Sequence, residues 1–136
     1  MEDTSFPRIL AVAGIIINES GQVLLTYREE EPSKHTWQIT AGFVKPGERM
    51  TEAMTRQISE KVGITAIDKI EFTGKFYDDP NRNPGKYCLP LLFKVYVPNN
   101  VLVNTSAKYQ WFEPSEISKL EMALDNKQML IDTKLI

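Results

Sequence analysis

With 136 residues and a net charge of -2 (16 Lys and Arg against 18 Asp and Glu), the chain fits a single domain over residues 1–136 and lacks the basic excess that a sequence-independent grip on nucleic acid requires. Its one cysteine, Cys88, excludes an intrachain disulfide and, set in an apolar run, is expected to be a small buried residue in a reducing compartment. The first residues lack a basic stretch leading into an apolar one, and no apolar run approaches the ~20 residues that span a bilayer, so the expected setting is the cytoplasm, without a membrane partner.

Residues 9–17 form a run rich in apolar and β-branched side chains. Asn18-Glu19-Ser20-Gly21 breaks it, and residues 23–27 are apolar again, the pattern of a β-hairpin. After a polar stretch containing Pro32, residues 37–40 alternate toward the Ala41-Gly42 turn as a short strand, and Pro46-Gly47 marks another turn. Met50, Met54, Ile58 and Val62 recur every four positions, which predicts a helix over 50–62 with that face packed on a sheet. Gly63 stands where a left-handed cap ends the helix. Downstream, 70–76 alternates as a strand, and 87–97 is a longer strand expected to be bulged or at an edge because Pro90 interrupts it. A strand over 109–112, a helix opening at Pro114 or Ser115 and a helical tail over 123–135 follow. Strands with interspersed helices and no regular alternation predict an α+β sandwich.

Residues 42–64 carry the chemistry. They read Gly42, five residues, Glu48, seven residues, then Arg56-Gln57-Ile58-Ser59-Glu60-Lys61-Val62-Gly63-Ile64. The segment resembles the Nudix box of the MutT-like hydrolases and meets every spacing of it, while Gln57 and Lys61 stand at positions where the family has glutamates. The resemblance implies the Nudix fold, with mixed β-sheets sandwiched between helices as an α/β/α sandwich. It also implies a small-molecule ligand, a nucleoside diphosphate linked to another group, with Mg²⁺ or Mn²⁺ as cofactor if hydrolysis is active and none if it is not. A homodimer is common in the family. At about 100° per residue, Arg56, Gln57, Glu60 and Lys61 share one face of the predicted helix. By resemblance, Glu48 and Arg56 pair to fix the loop on the helix. Glu60 and an inward-pointing turn carbonyl, that of Ala41, are the expected metal ligands, and Gln57 occupies the place of a glutamate that binds metal or helps deprotonate water.

An amide cannot take a proton at neutral pH, and an ammonium repels a dication. Hydrolysis is therefore expected to be weakened or lost. Two readings of the altered positions stay open: the Lys61 ammonium takes the metal's place and holds the diphosphate, or Gln57 and Lys61 are helix formers on a solvated face. The rival is an active Mg²⁺-dependent pyrophosphohydrolase of the ADP-ribose, NADH or nucleotide-sugar type, using Glu60 and a carboxylate recruited from Glu52, Glu113 or Glu116. Pro80 falls sixteen positions after Ile64, where a proline marks ADP-ribose pyrophosphatases, and the loop around it is similar to theirs. The box opening, 41–48, is similar to that of NADH pyrophosphatases. Arg28 is a candidate phosphate contact, as are Arg82 and Lys86 beside the Pro80 loop. Trp37 and Phe43 are candidate stacking surfaces for which core packing is the commoner role. His35 is expected to be solvated.

Overall fold

The computed structural model describes residues 8–31, 33–79, 81–82 and 87–136. Its centre is strand β1 (Ile9–Asn18), which is short of polar side chains because both its faces are covered. Val12 and Ile16 point to one layer, and Ala13, Ile15 and Ile17 to the other. Onto the first layer packs α1 (Met50–Val62), through the Met54, Ile58 and Val62 stripe that its sequence period predicts. Onto the second pack α2 (Pro114–Ile117) and α3 (Asn126–Asp132), through Ile117, Met129 and Leu130. The result is α+β, one mixed sheet of seven strands between helices.

The remaining strands are β2 (Val23–Arg28), β3 (Thr36–Gln38), β4 (Thr40–Phe43), β5 (Lys69–Phe76), β6 (Cys88–Val97) and β7 (Tyr109–Phe112). The hairpin is shorter than the sequence predicts. β1 and β2 are in register only at Ile17 and Val23, because β4 occupies the same edge of β1 farther back, pairing Ala11 to Gly14 with Phe43 to Thr40. β2 instead pairs with β7 and β3.

The expectation for the strand holding Pro90 is also corrected. β6 lies inside the sheet, parallel to β1 and antiparallel to β5, and the irregularity falls in β5 between Phe72 and Phe76. The irregularity lies across from Leu92, between the Phe72–Phe93 and Phe76–Leu91 pairs, and Pro90 stays within the sheet, its carbonyl accepting the Tyr77 N–H at 3.2 Å. The tail helix is confined to residues 126–132, since Leu124 (φ 50°) and Lys134 (φ 61°) leave helical geometry on either side. Gly63 does end α1 in the left-handed region at φ 65°, its N–H donating to Ser59 O. Among the described residues, no helix is long and apolar enough to cross a membrane.

Candidate active site

A four-residue strand, a turn and the first helix build the site. The turn needs Gly47 at φ 80°, and it returns the chain so that Glu48 meets Arg56 on α1. Arg56 Nε donates to Glu48 Oε2 at 2.8 Å and Nη2 to Oε1 at 3.0 Å, a two-pronged pair that fixes the turn on the helix. The same guanidinium donates to the Phe43 carbonyl at 2.9 Å and reaches Glu60 at 3.3 Å. Glu48 also accepts the Lys45 N–H at 3.0 Å. These bonds, Arg56 first, lower the Glu48 pKa from 4.5 to about 2.

Gln57 is not on a solvated face. It is buried, 6% exposed, and its Nε2 donates to the Phe43 carbonyl at 3.0 Å. Gly42 is what admits it: a Cβ on Gly42 would lie 2.1 to 2.3 Å from the Gln57 amide atoms. The box glycine thus serves a close approach between strand and helix.

Lys61, one residue past Glu60, sends its ammonium back to the Ala41 carbonyl, to which it donates. Lys61 is exposed as a residue, yet partial desolvation of its ammonium lowers its pKa below the ordinary lysine value. Glu60 opposes that shift, and the Arg28 and Arg56 charges add to it.

These elements open onto a cavity of about 730 Å³. Of the residues expected from sequence, Arg28, Ala41, Phe43, Glu60, Lys61 and Arg82 line it. Glu48, Arg56 and Gln57 stand behind this wall and hold it in shape. Arg28 Nη1 donates to Gln38 Oε1 at 3.0 Å across β2 and β3. Arg82 is clamped on Asp125, at 2.5 and 2.6 Å, and donates to Cys88 Sγ at 3.4 Å, so its charge is compensated within the protein. Cys88 is buried, as its apolar run predicts.

Phe43 is 44% exposed and on the cavity rim, which corrects the core role expected for it. Trp37 does pack, edge-on between Tyr27 and Phe112 at 5.1 and 4.9 Å. His35 is exposed. None of Glu52, Glu113 and Glu116 lines the cavity. Glu52 accepts the Arg49 N–H and Glu116 the Glu113 N–H, local bonds that open their helices. Pro80, Pro84 and Lys86 lie outside the described residues.

Sequence reasoning misses three buried polar residues on the cavity wall, Thr26, Thr40 and Asn126. Asn126 Oδ1 accepts the Ile39 N–H at 2.9 Å, which fixes the amide's orientation and leaves Nδ2 as the part a ligand can use. No motif or period singles out Asn126. The only signal was a polar residue inside the apolar spacing of the tail.

The donor set fits a divalent cation poorly. Among the described residues, no three His, Cys, Asp or Glu side chains gather closely enough to hold a metal ion. Glu48 faces Arg56, the Gln57 amide is turned to Phe43, and the Ala41 carbonyl faces an ammonium. Glu60 is left as the carboxylate on the cavity, against a need for several hard oxygen ligands.

The chain is similar to several known proteins. The chain is 29% identical over 125 residues to an ADP-ribose pyrophosphatase of Methanocaldococcus jannaschii, covering 90% of this chain and 71% of that one. It is 30% identical over 111 residues to the low-salt glycan biosynthesis protein Agl8 of Haloferax volcanii, covering 77% and 71%. The fold matches the NUDIX domain of Shewanella oneidensis NrtR, solved with ADP ribose, at a TM-score of 0.81 and 16% identity over 98% of this chain and 92% of that one. Since the NUDIX domain model also matches residues 7–132, taking in the 42–64 box and all the elements around it, this chain belongs to the Nudix family.

Proposed function

We infer that the protein binds a nucleoside diphosphate linked to a second group, ADP-ribose-like in its chemistry, and that its metal-dependent phosphoanhydride hydrolysis is weakened or lost. One observation supports this above the others: the two altered box positions are engaged, Gln57 on the Phe43 carbonyl and Lys61 on the Ala41 carbonyl, in ways a pair of carboxylates is not. A cavity of about 730 Å³ is within the usual range for a ligand of this size. The named activity of the archaeal relative and the ADP ribose in the structural neighbour support the choice of ligand.

Arg28 and Lys61 are the proposed phosphate contacts, Phe43 on the rim offers a face for stacking, and Glu48 with Arg56 keeps the turn in place. Arg82, held by Asp125, shapes the wall. A homodimer, common in the family, is testable by light scattering.

The decisive experiment restores Gln57→Glu and Lys61→Glu together and screens diphosphates with Mg²⁺ for release of a nucleoside monophosphate. Turnover above that of the natural chain is the expected result. No gain would overturn the assignment of the defect to these two positions.

Glu60, exposed on the cavity, favours a second reading, a working hydrolase with Mg²⁺ held by Glu60 and the ligand's own phosphates. It requires Mg²⁺-dependent turnover by the natural chain, and equal rates for that chain and Glu60→Ala would eliminate it.

A further inference from the structure

We propose that the buried hydroxyls of Thr26 and Thr40 form a ribose subsite, which holds the 2′ and 3′ hydroxyls of the bound nucleotide and selects it over its deoxy counterparts. The inference rests on the nucleotide reading given under Proposed function and adds the sugar to it.

Its basis is a pair of buried polar groups that the fold leaves over. Thr40 is 5% exposed and Thr26 9%, and both line the cavity. Among the described residues neither hydroxyl has a hydrogen-bond partner. Threonines elsewhere find one: Thr55, Thr73 and Thr133 donate to the carbonyls of Thr51, Leu92 and Met129. A buried hydroxyl without a partner costs stability, and one on a cavity wall regains it when a ligand supplies the bond.

The two positions meet where the sheet splits. Thr40 lies opposite Gly14 of β1, and a Cβ on Gly14 would touch Met54 of α1, so the Thr40 side chain is on the α1 side. Leu24 packs into the α1 layer, and Thr26, two residues along β2, shares its face. β2 and β4 both leave the same edge of β1, and residues of both line the cavity. Thr40 also precedes Ala41, whose carbonyl holds the Lys61 ammonium, the proposed phosphate contact. The part of a nucleotide joined to its phosphate is the ribose. Phosphate oxygens only accept hydrogen bonds, which suits an ammonium, whereas a sugar hydroxyl both gives and accepts, as a threonine hydroxyl does. On the other face of the sheet, Ala13 and Met129 give the cavity an apolar wall for the base.

Isothermal titration calorimetry with ADP-ribose and with its 2′-deoxyadenosine and 3′-deoxyadenosine counterparts tests this. The natural chain should bind each deoxy ligand about threefold to tenfold more weakly, the weight of one hydrogen bond. Thr26→Val and Thr40→Val keep the shape of the side chain and remove the hydroxyl. Each should weaken ADP-ribose by a similar factor and abolish the preference against one of the two deoxy ligands. Without ligand, both valine variants should melt at or above the temperature of the natural chain, since the hydroxyl they lose serves no bond in the free protein. A hydroxyl with a purely structural role would give the opposite shift. Equal Kd values of the natural chain for the three ligands, valine variants that keep both preferences, or a melting temperature that falls in both variants overturns the ribose subsite and leaves the nucleotide reading standing. Binding of none of the three ligands overturns both.

Discussion

Gly42→Ala is the sharpest probe of how the box is assembled. The added Cβ would lie 2.1, 2.2 and 2.3 Å from Gln57 Cδ, Oε1 and Nε2, distances at which something must move. The obstacle is the end of a flexible side chain, so the strand can stay where it is and the amide swings away. That motion breaks the 3.0 Å bond from Nε2 to the Phe43 carbonyl, a loss of about 0.5–1.5 kcal/mol. It also pushes a side chain only 6% exposed into packed surroundings, about 1–3 kcal/mol more. The Phe43 carbonyl keeps its bond from Arg56, so no buried acceptor is orphaned and the total is about 1.5–4.5 kcal/mol. Because one side chain carries most of this loss, shortening it should restore much of the stability. Urea denaturation followed by far-ultraviolet circular dichroism on Gly42→Ala, Gln57→Ala and the double variant should give a coupling of about 1–3 kcal/mol in the rescuing direction. Additivity within about 0.5 kcal/mol would refute the argument that Gly42 exists to admit residue 57.

Four further outcomes follow from the same geometry. Gly63→Ala should cost at least as much and resist rescue from position 104, because its Cβ meets the backbone oxygen of Asn104 at 2.2 Å and φ is 65°; recovery of stability in Gly63→Ala/Asn104→Gly would contradict this. Asn126→Ala removes the acceptor of a buried N–H and should destabilise by about 1–3 kcal/mol, while Asn126→Asp keeps the acceptor and should cost less; equal melting temperatures for the two would refute it. Gln57→Glu sets a carboxylate against the Phe43 carbonyl, so its melting temperature should fall in EDTA and partly recover in Mg²⁺; indifference to both would count against the donor role of the amide. For Glu48 the folded pKa, about 2, lies below the ordinary 4.5, so its contribution is complete above pH 4.5 and is lost as pH falls toward 2. Melting temperature should therefore drop more steeply over that interval in the natural chain than in Glu48→Gln, and parallel curves would show that the Arg56 pair does not stabilise the fold.

Most of the architecture was legible because its signals are local. A four-residue apolar period wrote α1, a glycine wrote its end, and continuous apolar runs wrote the strands covered on both faces. Pro90 misled for a non-local reason: neighbouring strands accept it inside the sheet, where it keeps register with Ala11 of β1 and its carbonyl accepts the Tyr77 N–H. The box spacing placed Glu48, Arg56, Glu60 and Lys61 correctly relative to one another, since helix geometry follows from sequence distance. It could not tell that Gln57 turns inward, because that depends on Gly42 leaving room across a loop. Nor could it find Asn126, which reaches the cavity through tertiary packing that brings it beside Ile39.

The parallel pairing of β1 with β6 has a consequence in time. Ile9 is in register with Cys88 and Asn18 with Val97, so the middle of the sheet joins the two ends of a long stretch of chain. Such contacts form slowly, because the intervening segment must be closed before they are rewarded. During synthesis the first strand emerges well before its parallel neighbour exists, and its apolar face waits for that neighbour, an interval in which helper proteins or misassembly compete for the nascent chain.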